Sequence, residues 1–215
     1  MSKGETLYSI AWRYGLDYRE LANANSISSP YVIYPGQKID ISNTGVKAKP
    51  PLAVAVRNPS KQPSTPVKPP QVKIENSHVS PEMPRNTPVS AWLWPANGKV
   101  IGHFSTNKPV NKGIDIAGSL GESVLAAATG TVVYAGTGLR GYGNLVIIRH
   151  DEKFLSAYAH ASRVLVRENQ EVKAGEKIAE TGSTGTDKVK LHFEIRENGK
   201  PVDPLQYLPK RRGGG

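Results

Sequence analysis

Residues 44–90 set the first limit on what this chain can fold into. They hold ten of its seventeen prolines, mixed with Ser, Thr, Gln and Lys, and show no hydrophobic periodicity. A segment of that composition cannot bury enough apolar area to offset its ordering entropy. It reads as a partly extended tether. The chain is thereby divided into a short unit at 1–43, the basic Pro-rich linker at 44–90, a larger unit at 91–212 and a flexible glycine tail at 213–215.

Charge follows the same division. Of the net +10, residues 1–43 contribute nothing, with four basic and four acidic side chains. The linker carries seven basic against two acidic, and residues 91–215 carry seventeen against twelve. Such a surface favours polyanionic surroundings, among them nucleic acid, anionic lipid and a carboxylate-bearing wall polymer. No aromatic-interleaved basic motif of a nucleic-acid module is present, so nucleic acid is not expected as a partner. The absence of cysteine excludes a disulfide framework, thiolate metal ligands and a thiol nucleophile. No apolar run approaches transmembrane length, and Met1-Ser2-Lys3-Gly4 is not a secretory signal.

In the first unit, Thr6 can cap a helix that places Leu7, Ile10, Ala11 and Tyr14 on one face and stops at Gly15. A second short helix is expected around Tyr18–Asn23 with Leu21 buried, then a loop to Tyr34, a Pro35-Gly36 turn and a strand at Gln37–Ile41. Over residues 4–41 this pattern resembles a LysM domain, a βααβ module that binds N-acetylglucosamine-containing glycans. The resemblance implies glycan contacts from Gly4, Glu5 and Thr6 facing Ile33 and Tyr34. Only three residues precede Gly4 where the family has its first strand, so that strand is expected to be truncated.

From Trp92 onward the texture is mostly β. Val100–Phe104, Ser123–Ala128, Gly130–Ala135, Asn144–Arg149, Phe154–His160, Lys177–Thr181 and Val189–Arg196 alternate or run apolar, with Gly, Asn and Asp in the gaps. Short strands at that spacing predict an antiparallel β domain with one core. In Val189–Arg196, period two puts Val189, Leu191, Phe193 and Ile195 on a core face. Lys190, His192, Glu194 and Arg196 fall on the other, expected to floor a polar groove.

Three short motifs carry chemistry: Asn111-Lys-Gly-Ile-Asp115, Tyr158-Ala-His160 and Lys190-Leu-His192. A His-x-x-x-Asp pair with a later His is an N/O/N set suited to catalytic zinc with one open position. Residues 91–209 resemble a LytM domain, the lysostaphin-type zinc endopeptidases that cut cell-wall peptides. That family shows His-x-x-x-Asp, Tyr-x-His and His-x-His at these places. The resemblance makes Asp115 and His192 vestigial metal positions and His160 a vestigial catalytic one. Asn111 replaces a ligand and Lys190 a catalytic histidine; a neutral amide is a poor zinc ligand, and an ammonium beside His192 repels a metal by like charge. Lys190 is expected to pair with Asp115 in place of the metal. No bound cofactor is implied.

A LysM unit, a Pro-rich tether and a degenerate LytM domain together resemble the NlpD-type activators of cell-wall amidases. What that implies is indirect action, in which the vacant groove docks a zinc-dependent N-acetylmuramoyl-L-alanine amidase and draws an inhibitory helix from its active site. The LysM unit would hold peptidoglycan. The expected contact surface is Asn111, Asp115, Arg140, Tyr142, His160, Lys190, His192 and Arg196, with Arg140, Tyr142 and Arg196 inferred from loop position or strand face alone. The resemblance also implies a periplasmic, outer-membrane lipoprotein whose signal and lipid anchor lie outside this chain. An active zinc endopeptidase and a wall-binding structural protein are the rival readings.

Overall fold

The computed structural model describes residues 4–42, 89 and 91–211. The expected linker at 44–90, apart from Val89, the last residue of the C-terminal unit and the tail at 213–215 lie outside the described residues. The architecture is mostly antiparallel β with two short N-terminal helices, α1 (Leu7–Tyr14) and α2 (Tyr18–Ala24). Thr6 caps α1 in a reciprocal box: its hydroxyl accepts from the Ser9 N–H at 3.1 Å, while its own N–H donates to the Ser9 hydroxyl at 2.9 Å. Gly15 closes the helix at φ 68°, the left-handed conformation in which glycine carries no Cβ penalty.

Eleven strands follow among the described residues. They are β1 (Val100–Gly102), β2 (Ile114–Ala117), β3 (Ser123–Leu125), β4 (Gly130–Gly136), β5 (Asn144–Arg149), β6 (Phe154–Ala161), β7 (Arg163–Val164), β8 (Glu171–Val172), β9 (Lys177–Glu180), β10 (Lys190–Glu197) and β11 (Lys200–Val202). The large sheet runs β1-β2-β10-β6-β5-β4-β8, with β11 beside β10, and a small sheet runs β3-β9-β7. All seven expected strands of this part occur within two residues of their expected starts, although β1 and β3 stop short of Phe104 and Ala128. The strands not anticipated, β2, β7, β8 and β11, are two to four residues long, too short to show alternation by themselves.

The large sheet is buried on both faces. Leu191, Phe193 and Ile195 of β10 point, as period two requires, into a core shared with Trp92, Val124 and Ile178. On the opposite face Val133, Tyr134, Leu145, Ile147, Leu155, Ala157 and Ala159 pack against Leu7, Tyr8, Ile10, Trp12, Tyr18 and Leu21 of the two helices. Six consecutive residues of α1, Leu7 to Trp12, are therefore buried. Helical spacing alone suggested one apolar face ending at Tyr14, but Tyr14 is 52 % exposed while Trp12 is 2 % exposed. The helix is buried on a second side because it lies on the sheet.

Gln37–Ile41 is extended but is not a strand among the described residues. Asn25 explains how it holds its place without one. Its side-chain amide donates to the Asp40 carbonyl at 2.8 Å and accepts from the Asp40 N–H at 2.6 Å. One side chain thus supplies both bonds that a neighbouring strand would offer.

The β10–β11 hairpin turns through Asn198 (φ 49°) and Gly199 (φ 77°), the positive-φ pair that a two-residue hairpin favours. This turn also meets the helices. A Cβ on Gly199 would lie 2.3 Å from the Leu16 carbonyl oxygen, and Arg19 donates to the Asn198 side-chain oxygen at 2.9 Å. Gly199→Ala should therefore lower unfolding stability by about 2 kcal/mol, combining left-handed strain with a backbone clash. Urea denaturation of the full chain measures it.

Candidate functional site

Strand β10 presents Lys190, His192 and Glu194 at alternate positions, and β2 runs antiparallel beside it with Asp115 opposite His192. Gly113 permits that close approach, since a Cβ there would sit 2.1 Å from the Phe193 carbonyl oxygen. On the other side of β10, β6 carries His160 next to its last residue, and the φ of 65° there is left-handed, a conformation that non-glycine residues adopt seldom and mostly at functional positions. Two bonds hold it there: its N–H donates to the Tyr142 carbonyl and its Nδ1 to the Thr184 carbonyl, each at 2.8 Å. A carbonyl only accepts, so Nδ1 carries the proton and Nε2 keeps its lone pair. Burial lowers the His160 pKa, against the Thr184 bond and with the nearby His192 and Lys190.

Ion pairs fill the floor of the site. Lys190 Nζ lies 2.9 Å from Asp115 Oδ2, and His192 Nδ1 lies 2.8 Å from Asp115 Oδ1. The other imidazole nitrogen of His192 is 3.2 Å from Glu194 Oε1, which also accepts from the Tyr142 hydroxyl at 2.7 Å. Burial works to raise the Asp115 pKa, yet His192 and Lys190 hold it down to about 2. Burial likewise works to lower that of His192, but its bonds to Asp115 and Glu194 bring it up to about 9. His192 is accordingly an imidazolium at neutral pH, a donor at both nitrogens. Glu194 is pushed up by burial and, more strongly in sum, down by His192, Arg196 and Tyr142.

Asn111 stands apart from these pairs. Its backbone bridges Ser105 in both directions at 2.9 Å, and its side-chain oxygen accepts from the Gly113 N–H at 3.2 Å. The amide is folded onto its own loop.

Above this floor is an open cleft of about 720 Å³. Asn111, Asp115, Tyr142, His160, Lys190 and His192 of the expected surface all line it. Arg196 does not: it is 1 % exposed and stacked on Trp12. Period two assigned its face correctly, but the helices cover that end of the strand. Arg140 is exposed in the 137–143 loop beside Gly141 and is not a lining residue. Residues not anticipated as lining the cleft are Gly102, His103, Ser105, Pro109, Val110, Lys112 and Gly141, while Glu194 does lie on the expected groove floor. Glu194 was legible from its strand face, whereas the 102–110 segment offered no pattern. His103 is exposed at the mouth of the cleft, and His150 is a core group whose Nδ1 donates to the Thr129 carbonyl at 2.9 Å.

The residues expected to hold glycan are not brought into one cavity. Gly4 and Glu5 line a cleft of about 1090 Å³ against the Gly136–Gly138 turn and β7. Tyr34, 69 % exposed, borders a separate hollow of about 520 Å³ with Ser28, Pro30 and Val32. Thr6 spends its hydroxyl as the α1 cap, and Ile33 packs on the core.

Residues 109–204 match Peptidase family M23 and residues 2–42 match the LysM domain. A "Lipoprotein NlpD/LppB homolog" of Pseudomonas aeruginosa is 52% identical over 97% of this chain and 76% of its own length. The chain belongs to the NlpD/LppB family. The Escherichia coli relative, named "Murein hydrolase activator NlpD", is 44% identical over 98% of this chain and 67% of its own length. Among solved structures, a zinc-containing peptidase from Vibrio cholerae aligns with TM-score 0.52 at 27% identity, covering 56% of this chain and 41% of that one. Lysostaphin from Staphylococcus simulans aligns with TM-score 0.50 at 28% identity, covering 54% and 51%. Both alignments span less than two thirds of the solved chain. This NlpD/LppB member thus has a peptidase frame and relatives named as activators rather than as peptidases.

The Asp115 carboxylate separates two cations, which gives a direct test of the floor. Asp115→Asn should cost about 2 kcal/mol in urea unfolding, because it leaves two half-buried cations facing each other. Adding Lys190→Met should recover at least 1 kcal/mol of that loss, the size of coupling typical of contacting charges.

Proposed function

We propose that this chain is a non-catalytic activator of a zinc-dependent N-acetylmuramoyl-L-alanine amidase, docking that enzyme in the cleft between β2, β6 and β10. The observation that carries the reading is the Lys190–Asp115–His192 pair system. The groups present do not fit a catalytic zinc. Both Asp115 oxygens already face cations, and both nitrogens of His192 face carboxylates. The neutral amide of Asn111 engages its own loop. Among the described residues no set of three or more His, Cys, Asp and Glu side chains is arranged to hold a metal ion. A zinc ion would have to displace an ammonium and deprotonate an imidazolium, and it would still lack a third protein ligand.

What remains is an open cleft with ion-paired groups on its floor and Pro109 and Val110 among its lining. Those properties suit the capture of a protein segment. Activation by capture is a population shift: the cleft must bind the open form of the amidase more tightly than the closed form. The names of the relatives, murein hydrolase activators and outer-membrane lipoproteins, support placement in the cell envelope. The N-terminal helices match LysM, which supports peptidoglycan as the second partner, with exposed Tyr34 and its hollow as the glycan-facing surface.

Mixing purified chain, amidase and peptidoglycan tests this reading. Release of wall peptides should rise at least about tenfold over amidase alone, with no release by the chain alone. Equal release with and without the chain would leave only wall binding, and release by the chain alone would make it a peptidase. Asn111→His with Lys190→His should recover zinc binding, seen by calorimetry, and lose most of the activation. Full activation by that double variant would exclude the cleft as the docking surface.

A further inference from the structure

The helices that match LysM and the cleft are joined by one buried ionic connection. Arg196 lies at its centre. Nε and Nη2 of Arg196 donate to Glu194 Oε2 at 3.1 and 3.0 Å, and Nη1 donates to the Trp12 carbonyl at 2.7 Å. The guanidinium carbon sits 3.5 Å above the Trp12 ring. Glu194, fully buried, holds two residues of the cleft wall with its other oxygen, the Tyr142 hydroxyl and His192 Nε2. An unbroken contact path therefore leads from α1 through Arg196 and Glu194 to Tyr142 and His192. The same strand is gripped again at its far end, where the Asn198-Gly199 turn lies under Leu16 and Asp17.

From this path we infer that the N-terminal helical module is a positioning element for the cleft, with Trp12 acting through Arg196 and Glu194 on Tyr142 and His192. The physical reason is the cost of a buried ion pair. Glu194 and Arg196 tolerate burial only while every strong donor and acceptor is met. If α1 lifts, Arg196 loses its carbonyl acceptor, its aromatic face and its shield from water together. Its guanidinium then turns toward solvent, and Glu194 must re-divide its bonds between Tyr142 and His192. A ligand that changes how α1 sits is thereby coupled to whatever occupies the cleft, and the coupling is reciprocal. Where the inference speaks of partner affinity it rests on the activator reading; where it speaks of cleft geometry it does not.

The experiment uses the full chain with Trp12→Leu, Trp12→Phe and Arg196→Lys. Two-dimensional NMR of the His192 imidazole and the Tyr142 ring reports the cleft, and the activator concentration for half-maximal amidase stimulation reports docking. Trp12→Leu should shift both sets of signals and raise the half-maximal concentration about tenfold with the maximum unchanged. Trp12→Phe, which keeps an aromatic face under the guanidinium, should restore most of both. A folded Trp12→Leu with wild-type signals and wild-type half-maximum overturns the inference. Should Trp12→Leu not fold, Arg196→Lys decides, since it keeps the charge but loses the planar fork; unchanged His192 and Tyr142 signals there overturn the inference equally. Shifted signals in a chain whose wild type stimulates no amidase uphold the positioning role and sink the activator reading. Normal stimulation with unmoved signals does the reverse.

Discussion

A glutamate with no exposed surface is the constraint around which this structure closes. Isolated burial of the Glu194 carboxylate would cost several kcal/mol, and four groups share the task of preventing it: two donors of Arg196, the Tyr142 hydroxyl and the His192 imidazolium. Arg196 in turn needs an acceptor for its remaining nitrogen, and the Trp12 carbonyl supplies it at 2.7 Å. The sheet's back face is therefore closed by a helix on electrostatic grounds as well as apolar ones. Leu145, Ile147 and Ala157 supply the apolar part, each large side chain contributing about 1.5–3 kcal/mol on burial. The ionic part adds direction, because only one seating of α1 meets the guanidinium.

Ion pairs of the same kind tie the strands beneath the cleft. A zinc site is held by the attraction of a dication for its ligands. Here Lys190 and His192 take up that role toward Asp115, each with one charge and each anchored to the same strand. Two organic cations meet one carboxylate here, which ties β2 to β10. Under the proposed reading, the frame of a hydrolase survives as a receptor. The left-handed His160, fixed through Tyr142 and Thr184, keeps a lone pair toward the cleft that suits a hydrogen-bond donor on a docked segment.

Much of this was legible in the residues. Thr6 and Gly15 bound α1 because a cap hydroxyl and a positive-φ glycine are local requirements, met within a few residues. Alternation in Val189–Arg196 placed Leu191, Phe193 and Ile195 in the core, and the pairing of Lys190 with Asp115, expected from the family resemblance, is present at 2.9 Å. Other features left no local mark. The pairing of Gln37–Ile41 was taken over by Asn25, a substitution of side chain for strand that no periodicity reveals. The Asn198-Gly199 hairpin did carry a readable signal in its dipeptide, but not the fact that its turn would support Leu16.

The sequence by itself determined where the two helices and the longer strands lie and which face of β10 is apolar. Those properties depend on neighbours two to four positions away. Only the tertiary structure decided that Arg196 is buried rather than displayed, that Trp12 rather than Tyr14 faces inward, and that the expected glycan residues divide between two hollows. The physical reason is that a pattern of period two or 3.6 states which way a side chain points but not what will cover it. In this chain the cover comes from α1, 184 positions away from Arg196 in sequence.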